Sequence, residues 1–284
     1  MGIFVIGIVL AALSGLVWGV GDFSGGKASQ RADSIVVVVL SKAASLPLLA
    51  LYLLLVPGTL TARGLGWGGA AGVFGVLGMI VFYRALSGGA MAVVAPISAV
   101  TTALLPVAFG LATGERPGGL ALTGAACAIA AIGLVSAAGG SAAPVTGRLV
   151  GLALLSGAAF GLFFICLSQA GDHAGLWPIA GAQVAAVALG APLLLRRLRA
   201  GTRPAVPEGA SRRWLLAAGL LDMSANALYV LAVARGELSI IAPIAALYPV
   251  STVLLAMAVD RERLRLVQLA GLGLAATALV LVAS

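Results

Sequence analysis

Apolar residues fill most of the chain, and the polar and charged residues that interrupt them gather in short clusters. Between the clusters lie ten apolar stretches, near 3–28, 34–56, 65–86, 90–113, 118–138, 148–169, 176–195, 213–234, 238–259 and 266–283. Each has the length of a transmembrane helix, about 20 mostly apolar residues. In lipid a backbone must satisfy its own N–H and C=O groups, so the pattern predicts ten membrane-spanning helices, spans 1 to 10. Span 1 has no basic residue before Lys27 and leads directly into further spans, which sets it apart from a cleaved signal peptide.

Part of this pattern occurs twice. Ala242-Pro243-Ile244, Glu262-Arg263 and Gly271 repeat Ala95-Pro96-Ile97, Glu115-Arg116 and Gly124 at a constant separation of 147 residues. Matches held over about thirty residues mark a duplicated structural unit. Earlier in each copy, Ser156-Gly157 repeats Ser14-Gly15 at a separation of 142, so a short insertion falls between spans 1 and 3. Each unit then holds five helices, at 3–138 and 146–283. Because every span crosses the membrane, five crossings leave the second unit facing the opposite way. The expected fold is an all-α membrane protein, with ten transmembrane helices as two inverted five-helix repeats, the pattern of secondary transporters.

Composition agrees with lipid as the solvent: 61% of residues are hydrophobic and 9% charged, against roughly 25% charged in soluble domains. The net charge of +8 does not point to nucleic acid, since no basic patch alternates with aromatic residues and the arginines sit between spans. Their distribution is one-sided. Loops after the odd-numbered spans hold thirteen Lys and Arg, and the opposite side holds Arg63, Arg116 and Arg235 alone. The positive-inside rule then places both termini outside the cytoplasm. The loop from Arg196 to Arg213, with Pro204 and Pro207, reads as a cytoplasmic linker drawn to anionic lipid. Trp67, Trp177 and Trp214 fall near span ends, as interface anchors do. Cys127 and Cys166 fall inside spans, where they read as small buried side chains.

The run from Ala242 to Pro249, the run from Glu262 to Gly271, and Trp18-Gly19 in span 1 resemble the EamA repeat of the drug/metabolite transporter superfamily. The resemblance covers nearly the whole chain. It implies a ten-helix carrier, two five-helix bundles around a central cavity, moving amino acids, sugars, nucleotide-linked compounds or drugs. The first copy departs from the pattern, with Thr102 in the place of Pro249 and a proline displaced to Pro106. Family members often keep both termini in the cytoplasm, the reverse of the charge count here.

Polar groups within spans are costly and therefore informative. Asp22 and Lys42 flank the turn between spans 1 and 2 at comparable depth, so they can pair. Two readings stand side by side: an ion pair locking the helices, or a gate in which Lys42 meets a substrate carboxylate. A basic residue near this point of span 2 is also common in the family. In span 8, Asp222, Asn226 and Tyr229 line one helix face. Nine residues of helix from Arg213 put Asp222 about 13 Å into the membrane. The matching positions in span 3 are Gly75, Met79 and Phe82, so one half alone carries the polar stripe. That asymmetry suits a cavity shaped for an asymmetric ligand, with Asp222 as proton carrier or cation contact; packing alone is the other reading.

Pro96 and Pro243, with Pro106 and Pro249, are expected to interrupt spans 4 and 9, and broken helices at matching points of two repeats point to a binding site. A purely geometric role for these prolines is the competing explanation. Tyr248, beside Pro249, and Trp18 can reach the cavity. Gly7, Ala11, Gly15 and Gly19 form a small-residue stripe suited to close helix approach. Glu115 and Glu262 suit the N-termini of spans 5 and 10, and His173 reads as a solvated loop residue.

No metal-binding His/Cys spacing, phosphate-binding Gly-rich loop or nucleophile elbow is present, which argues against an enzyme and for no cofactor. The expectation is a multi-pass protein of the bacterial plasma membrane that works by alternating access, driven by an ion gradient or by exchange. Its partners would be membrane lipid, a small-molecule substrate and protons, and its cargo amino acids or related compounds for export. The alternative is a non-transporting membrane protein that handles lipid or assists assembly.

Overall fold

A computed structural model describes residues 2–29, 32, 34–86, 91–136, 146–171, 173–199, 208–260 and 265–283. Twelve helices follow in chain order among them: α1 (Gly2–Ser29), α2 (Ser34–Ala44), α3 (Leu46–Leu55), α4 (Ala62–Leu86), α5 (Met91–Ala112), α6 (Gly119–Ser136), α7 (Gly147–Ser168), α8 (Trp177–Arg199), α9 (Gly209–Val233), α10 (Leu238–Ala245), α11 (Tyr248–Asp260) and α12 (Leu266–Ala283). Among the described residues nine spans are long and apolar enough to cross a membrane, with α2 and α3 together forming one of them. The tenth predicted span is the broken pair α10 and α11. Large apolar side chains such as Leu54, Leu155, Val184 and Val280 stand exposed on the outside, as a surface facing lipid requires. The chain is a multi-pass integral membrane protein.

Prolines explain both breaks. Pro47 offers no N–H to the carbonyl of Ala43, and its ring crowds that turn, so span 2 stops at Ala44 and restarts at Leu46. Pro249 does the same to Ala245, where α10 ends before α11 begins at Tyr248. Pro96 and Pro106 lie within the continuous α5, and Pro243 lies within α10. The paired interruption expected in spans 4 and 9 therefore occurs in span 9 alone. At the matching position of span 4, Thr102 keeps its N–H, and its hydroxyl donates to Ser98 O at 2.8 Å instead of breaking the helix.

Small residues set how closely the helices approach. Along α1, Gly7, Ser14, Gly21 and Ala28 recur every seventh position and meet Ala232, Ala225, Leu221 and Ser211 of the antiparallel α9. Ser14 Oγ donates to Ala225 O at 2.8 Å and Ser211 Oγ to Ala28 O at 3.2 Å, fixing the register. A seven-residue recurrence keeps one seam in contact along a gently supercoiled pair. The four-residue stripe read from the sequence divides in the fold. Gly7 faces α9, while Gly15 and Gly19 face the break between α10 and α11.

The two halves contact each other reciprocally. Gly124 on α6 packs against Val282 and Ala278 of α12, and its repeat equivalent Gly271 on α12 packs against Val135 and Leu134 of α6. Val135 and Val282 are separated by the same 147 residues as the two glycines. Contacts that exchange in this way are the mark of a twofold relation between like surfaces. Other pairings have partners too: α1 packs on α9 as α7 packs on α4, and α5 packs on α7 as α10 and α11 pack on α1.

The end of the bundle that carries the chain termini is tied together by contacts between loops. There Thr59 N donates to His173 O at 2.8 Å, Arg63 Nε donates to Gln169 O at 3.1 Å, and Gly236 packs against Phe4. His173 is exposed, and its backbone carbonyl joins the α3–α4 and α7–α8 loops. Glu262, Arg263 and the central part of the Arg196–Arg213 linker lie outside the described residues.

Candidate functional site

The break at Ser45 positions a lysine. With the helix interrupted by Pro47, the carbonyl of Lys42 is free to accept from Ser45 Oγ at 2.8 Å and from Gln183 Nε2 of α8 at 2.5 Å. Gln183 also donates to Ser45 Oγ at 3.1 Å and is buried, so α8 clamps the kink. Below it, Tyr52 on α3 shares a 2.9 Å hydrogen bond with Ser224 on α9. Held on both sides of the kink, Lys42 directs its ammonium to α9, where Nζ donates to Asp222 Oδ2 at 2.5 Å. The two side chains keep 24% and 34% of their surface, so the pair is half-buried.

The expected Lys42–Asp22 pair is thus replaced by Lys42–Asp222. The reason lies in the α1–α9 seam, which brings Gly21 against Leu221 and the backbone of Asp222. That close approach carries a carboxylate of the second half into reach of a lysine of the first. Asp22 remains beside the pair and interacts electrostatically with both Lys42 and Asp222. It is exposed, next to Gly21, which packs on α9. Its open surface therefore faces space within the bundle. The helix face agrees, because Gly15, Trp18 and Gly19, on the same side of α1, pack inward. One turn further on, Gly26 has nothing within 4 Å of where a Cβ would stand.

Toward the terminal end, aromatic rings fill the centre. Trp18 lies 5.3 Å from Phe164 and 5.8 Å from Tyr229, and Phe164 stacks on Tyr229 at 4.7 Å between centroids. Tyr229 is fully buried, and its hydroxyl donates to Phe164 O at 3.2 Å. Asn226, also buried, turns its amide back to donate to Asp222 O at 2.6 Å. Of the polar stripe on span 8, Asp222 faces a side chain of another span, while Tyr229 and Asn226 spend their donors on backbone carbonyls. Tyr248 is half-buried at the start of α11, and its backbone carbonyl packs against Gly19 of α1. Phe23 meets Trp214 edge-on at 6.1 Å near the opposite end of α9.

Gly15 and Gly19 let the broken helix sit against α1. A Cβ on Gly15 would come within 2.8 Å of the carbonyl oxygen of Ala245, which Pro249 leaves without an N–H partner, and one on Gly19 would overlap Ser251 and Tyr248 O. Ser251 Oγ donates to Tyr248 O at 3.0 Å across the start of α11. In the other half Gly157 and Gly161 of α7 pack the same way against Ser98, Thr102 and Leu105 of α5.

Glu115 acts across the halves. From the α5–α6 loop its two carboxylate oxygens accept from Leu238 N and Ser239 N, both at 2.8 Å. The acid suited to a helix N-terminus thus serves α10 of the second half, where the sequence suggested the adjacent α6. Gly110 leaves room for it, since a Cβ there would overlap the carboxylate. Two crevices of about 340 and 410 Å³ open near the terminal end, one beside Phe4 and Glu237, the other beside Pro57, Pro178 and Arg235, and neither is lined by Asp22, Lys42 or Asp222. No group of three or more His, Cys, Asp or Glu residues converges on a metal site among the described residues.

Several of these residues escape sequence reasoning. Pro47 within an apolar run signals the kink, and Gln183 is the lone amide in span 7, yet nothing in the sequence joins them. Phe164 reads as ordinary core until the fold places it against Trp18 and Tyr229.

Comparison with known proteins accords with this geometry. The chain matches a solved structure, described only as the crystal structure of a protein, with a TM-score of 0.77 at 16% identity, over 97% of each chain. At that identity the likeness speaks for the fold. No curated protein matches. A family model, the EamA-like transporter family, matches twice, at residues 5–137 and 148–284. With both copies accounting for nearly all of the helical chain, the chain belongs to the EamA-like transporter family.

Proposed function

We propose that the chain is a secondary transporter of small metabolites or drugs, working by alternating access between two inverted five-helix repeats, 3–138 and 146–283. One observation carries the reading: an ion pair, Lys42–Asp222, joins the two halves within the bundle beside a further carboxylate, Asp22, open to internal space. Charged groups at such a depth are costly and persist where they meet a substrate or an ion. The reciprocal Gly124–Val282 and Gly271–Val135 contacts support the inverted arrangement, because halves that exchange surfaces can also exchange conformations.

In this conformation the site is reached from the end opposite the termini. Asp22 and Gly26 lie open there, whereas the Trp18–Phe164–Tyr229 cluster and the Glu115 cap shut the terminal end. With the basic loops in the cytoplasm of a plasma membrane, the conformation faces inward and suits loading for export. Alternation would unseat the aromatic cluster and the Glu115 cap together while the open end closes around Gly26. A cysteine placed at Thr202 in a chain lacking Cys127 and Cys166 should react with an impermeant reagent from the cytoplasmic side alone; labelling from outside overturns the orientation.

The function itself is tested by uptake of labelled amino acids, sugars and drugs into proteoliposomes, with and without a pH gradient. Flux above that of protein-free liposomes is the expected result, and Asp222→Asn should remove it or its pH-driven part. A folded protein that moves nothing across a broad panel refutes the proposal.

A further inference from the structure

We infer that the site takes organic cations that carry no carboxylate, held by Asp22 beside Trp18 and Tyr248, while Lys42 serves as the internal counter-ion of Asp222. This rests on the transporter reading and narrows its substrate class. The charged side chains at the depth of the site leave one negative charge over. Asp22 comes from α1, Lys42 from α2 and Asp222 from α9; α5 and α10 carry no charged residue, while Arg148 at the start of α7, Arg212 and Arg213 in the first turn of α9 and Asp260 at the end of α11 stand nearer the open end. Lys27, further along α1, sits over the ring of Phe23 at 5.4 Å. Among the described residues the ion pair formed at the site is Lys42–Asp222.

The geometry then separates the two kinds of ligand. A substrate carboxylate would need the Lys42 ammonium, which is engaged at 2.5 Å while its backbone carbonyl is clamped by Gln183. Drawing Lys42 away would strand Asp222 without a counter-ion, and breaking a buried pair from one side is strongly unfavourable. A second carboxylate would also approach Asp22, of like charge. A cation meets neither obstacle. It gains the carboxylate of Asp22, which internal space already reaches, and the indole of Trp18 one turn away on the same helix face offers a cation–π contact. An amino acid would satisfy its ammonium and leave its carboxylate without a partner, which is why the site favours the amine over its carboxylated counterpart.

Matched pairs of probes differing by one carboxylate test this in proteoliposomes: choline against glycine betaine, and agmatine against arginine, with tetraphenylphosphonium as a bulky cation. Choline, agmatine or tetraphenylphosphonium should be taken up, and each carboxylated partner at least tenfold more slowly. Asp22→Asn should raise the KM for the cation tenfold or more, and Asp22→Glu should restore much of the affinity, a rescue that a merely structural role for Asp22 does not explain. Equal thermal unfolding of the variants and wild type shows that the fold is intact; should Asp22→Asn unfold, Asp22→Glu and competition of uptake by tetraphenylphosphonium decide instead. If betaine or arginine is moved as fast as its partner, or if the KM for the cation is unchanged in Asp22→Asn, the substrate class is wrong and the transporter reading stands. If no compound is moved by folded wild type, both fall.

Discussion

Removing the carboxylate of Glu115 should loosen the terminal end of the bundle. Glu115 accepts two backbone N–H groups at 2.8 Å, from Leu238 and Ser239, which are 4% and 0% exposed. Hydrogen bonds to a charged group contribute about 1.5–3 kcal/mol each. Glu115 itself is half-exposed, so water screens part of this, and a total of about 2–3 kcal/mol for the pair is the reasonable scale. Glu115→Ala leaves both N–H groups without their acceptor at a buried helix start, whereas Glu115→Gln keeps one neutral acceptor and should lose about half as much. The assay is thermal unfolding in detergent by loss of monodisperse protein, where about 2–4 °C accompanies each kcal/mol in chains of comparable size. Glu115→Ala should therefore lower the apparent Tm by roughly 4–12 °C, with Glu115→Gln in between. Gly110→Ala should resemble Glu115→Ala, since the added Cβ displaces the same carboxylate. If Glu115→Ala unfolds with wild type, or if the glutamine variant is as unstable as the alanine one, the two-bond account of this cap is wrong.

Three further outcomes are expected. Tyr229→Phe removes the hydrogen bond to Phe164 O but keeps the stack, so it should cost about 1 kcal/mol and leave flux largely intact; Tyr229→Ala empties a fully buried ring position at about 3–5 kcal/mol, and the same unfolding measurement separates them. Gln183→Leu removes both donors to the span 2 kink and should lower stability by about 1–3 kcal/mol and slow uptake; stability and uptake equal to wild type would mean that the clamp is dispensable. Gly19→Val forces side-chain atoms into Ser251 and Tyr248 O and should abolish the monodisperse protein, while Gly26→Ala, in open space, should be recovered in normal yield.

The apolar spans, the repeat and the polar outliers were legible because they depend on local or periodic properties. An apolar run of membrane length has few alternatives to a helix, and a duplication leaves residues at a fixed separation whatever their contacts. Which polar residues meet was not legible. Asp22 and Lys42 look paired because they sit at like depths on consecutive spans, yet Lys42 reaches Asp222, on a helix far along the sequence. The prolines were misjudged for a related reason. A missing N–H removes one bond wherever it falls, but α5 continues through Pro96 and Pro106 while span 9 breaks before Pro249. The difference lies at the matching position, where Thr102 keeps the N–H that Pro249 lacks, and Gly15 and Gly19 make the room that the break needs.

Sequence alone therefore determined the solvent, the apolar helices, the doubling of the unit and the short set of charged groups that lie within them. Tertiary structure decided how those charges are shared. A helix face records which side chains point together, and a hydropathy pattern records which face inward, but neither encodes the register between helices. That register is set here by the Gly7, Ser14, Gly21 and Ala28 seam on α9. Backbone approach along it brings Asp222 to Lys42 and leaves Asp22 open, because an ion pair depends on a few ångströms of separation that only packing can fix.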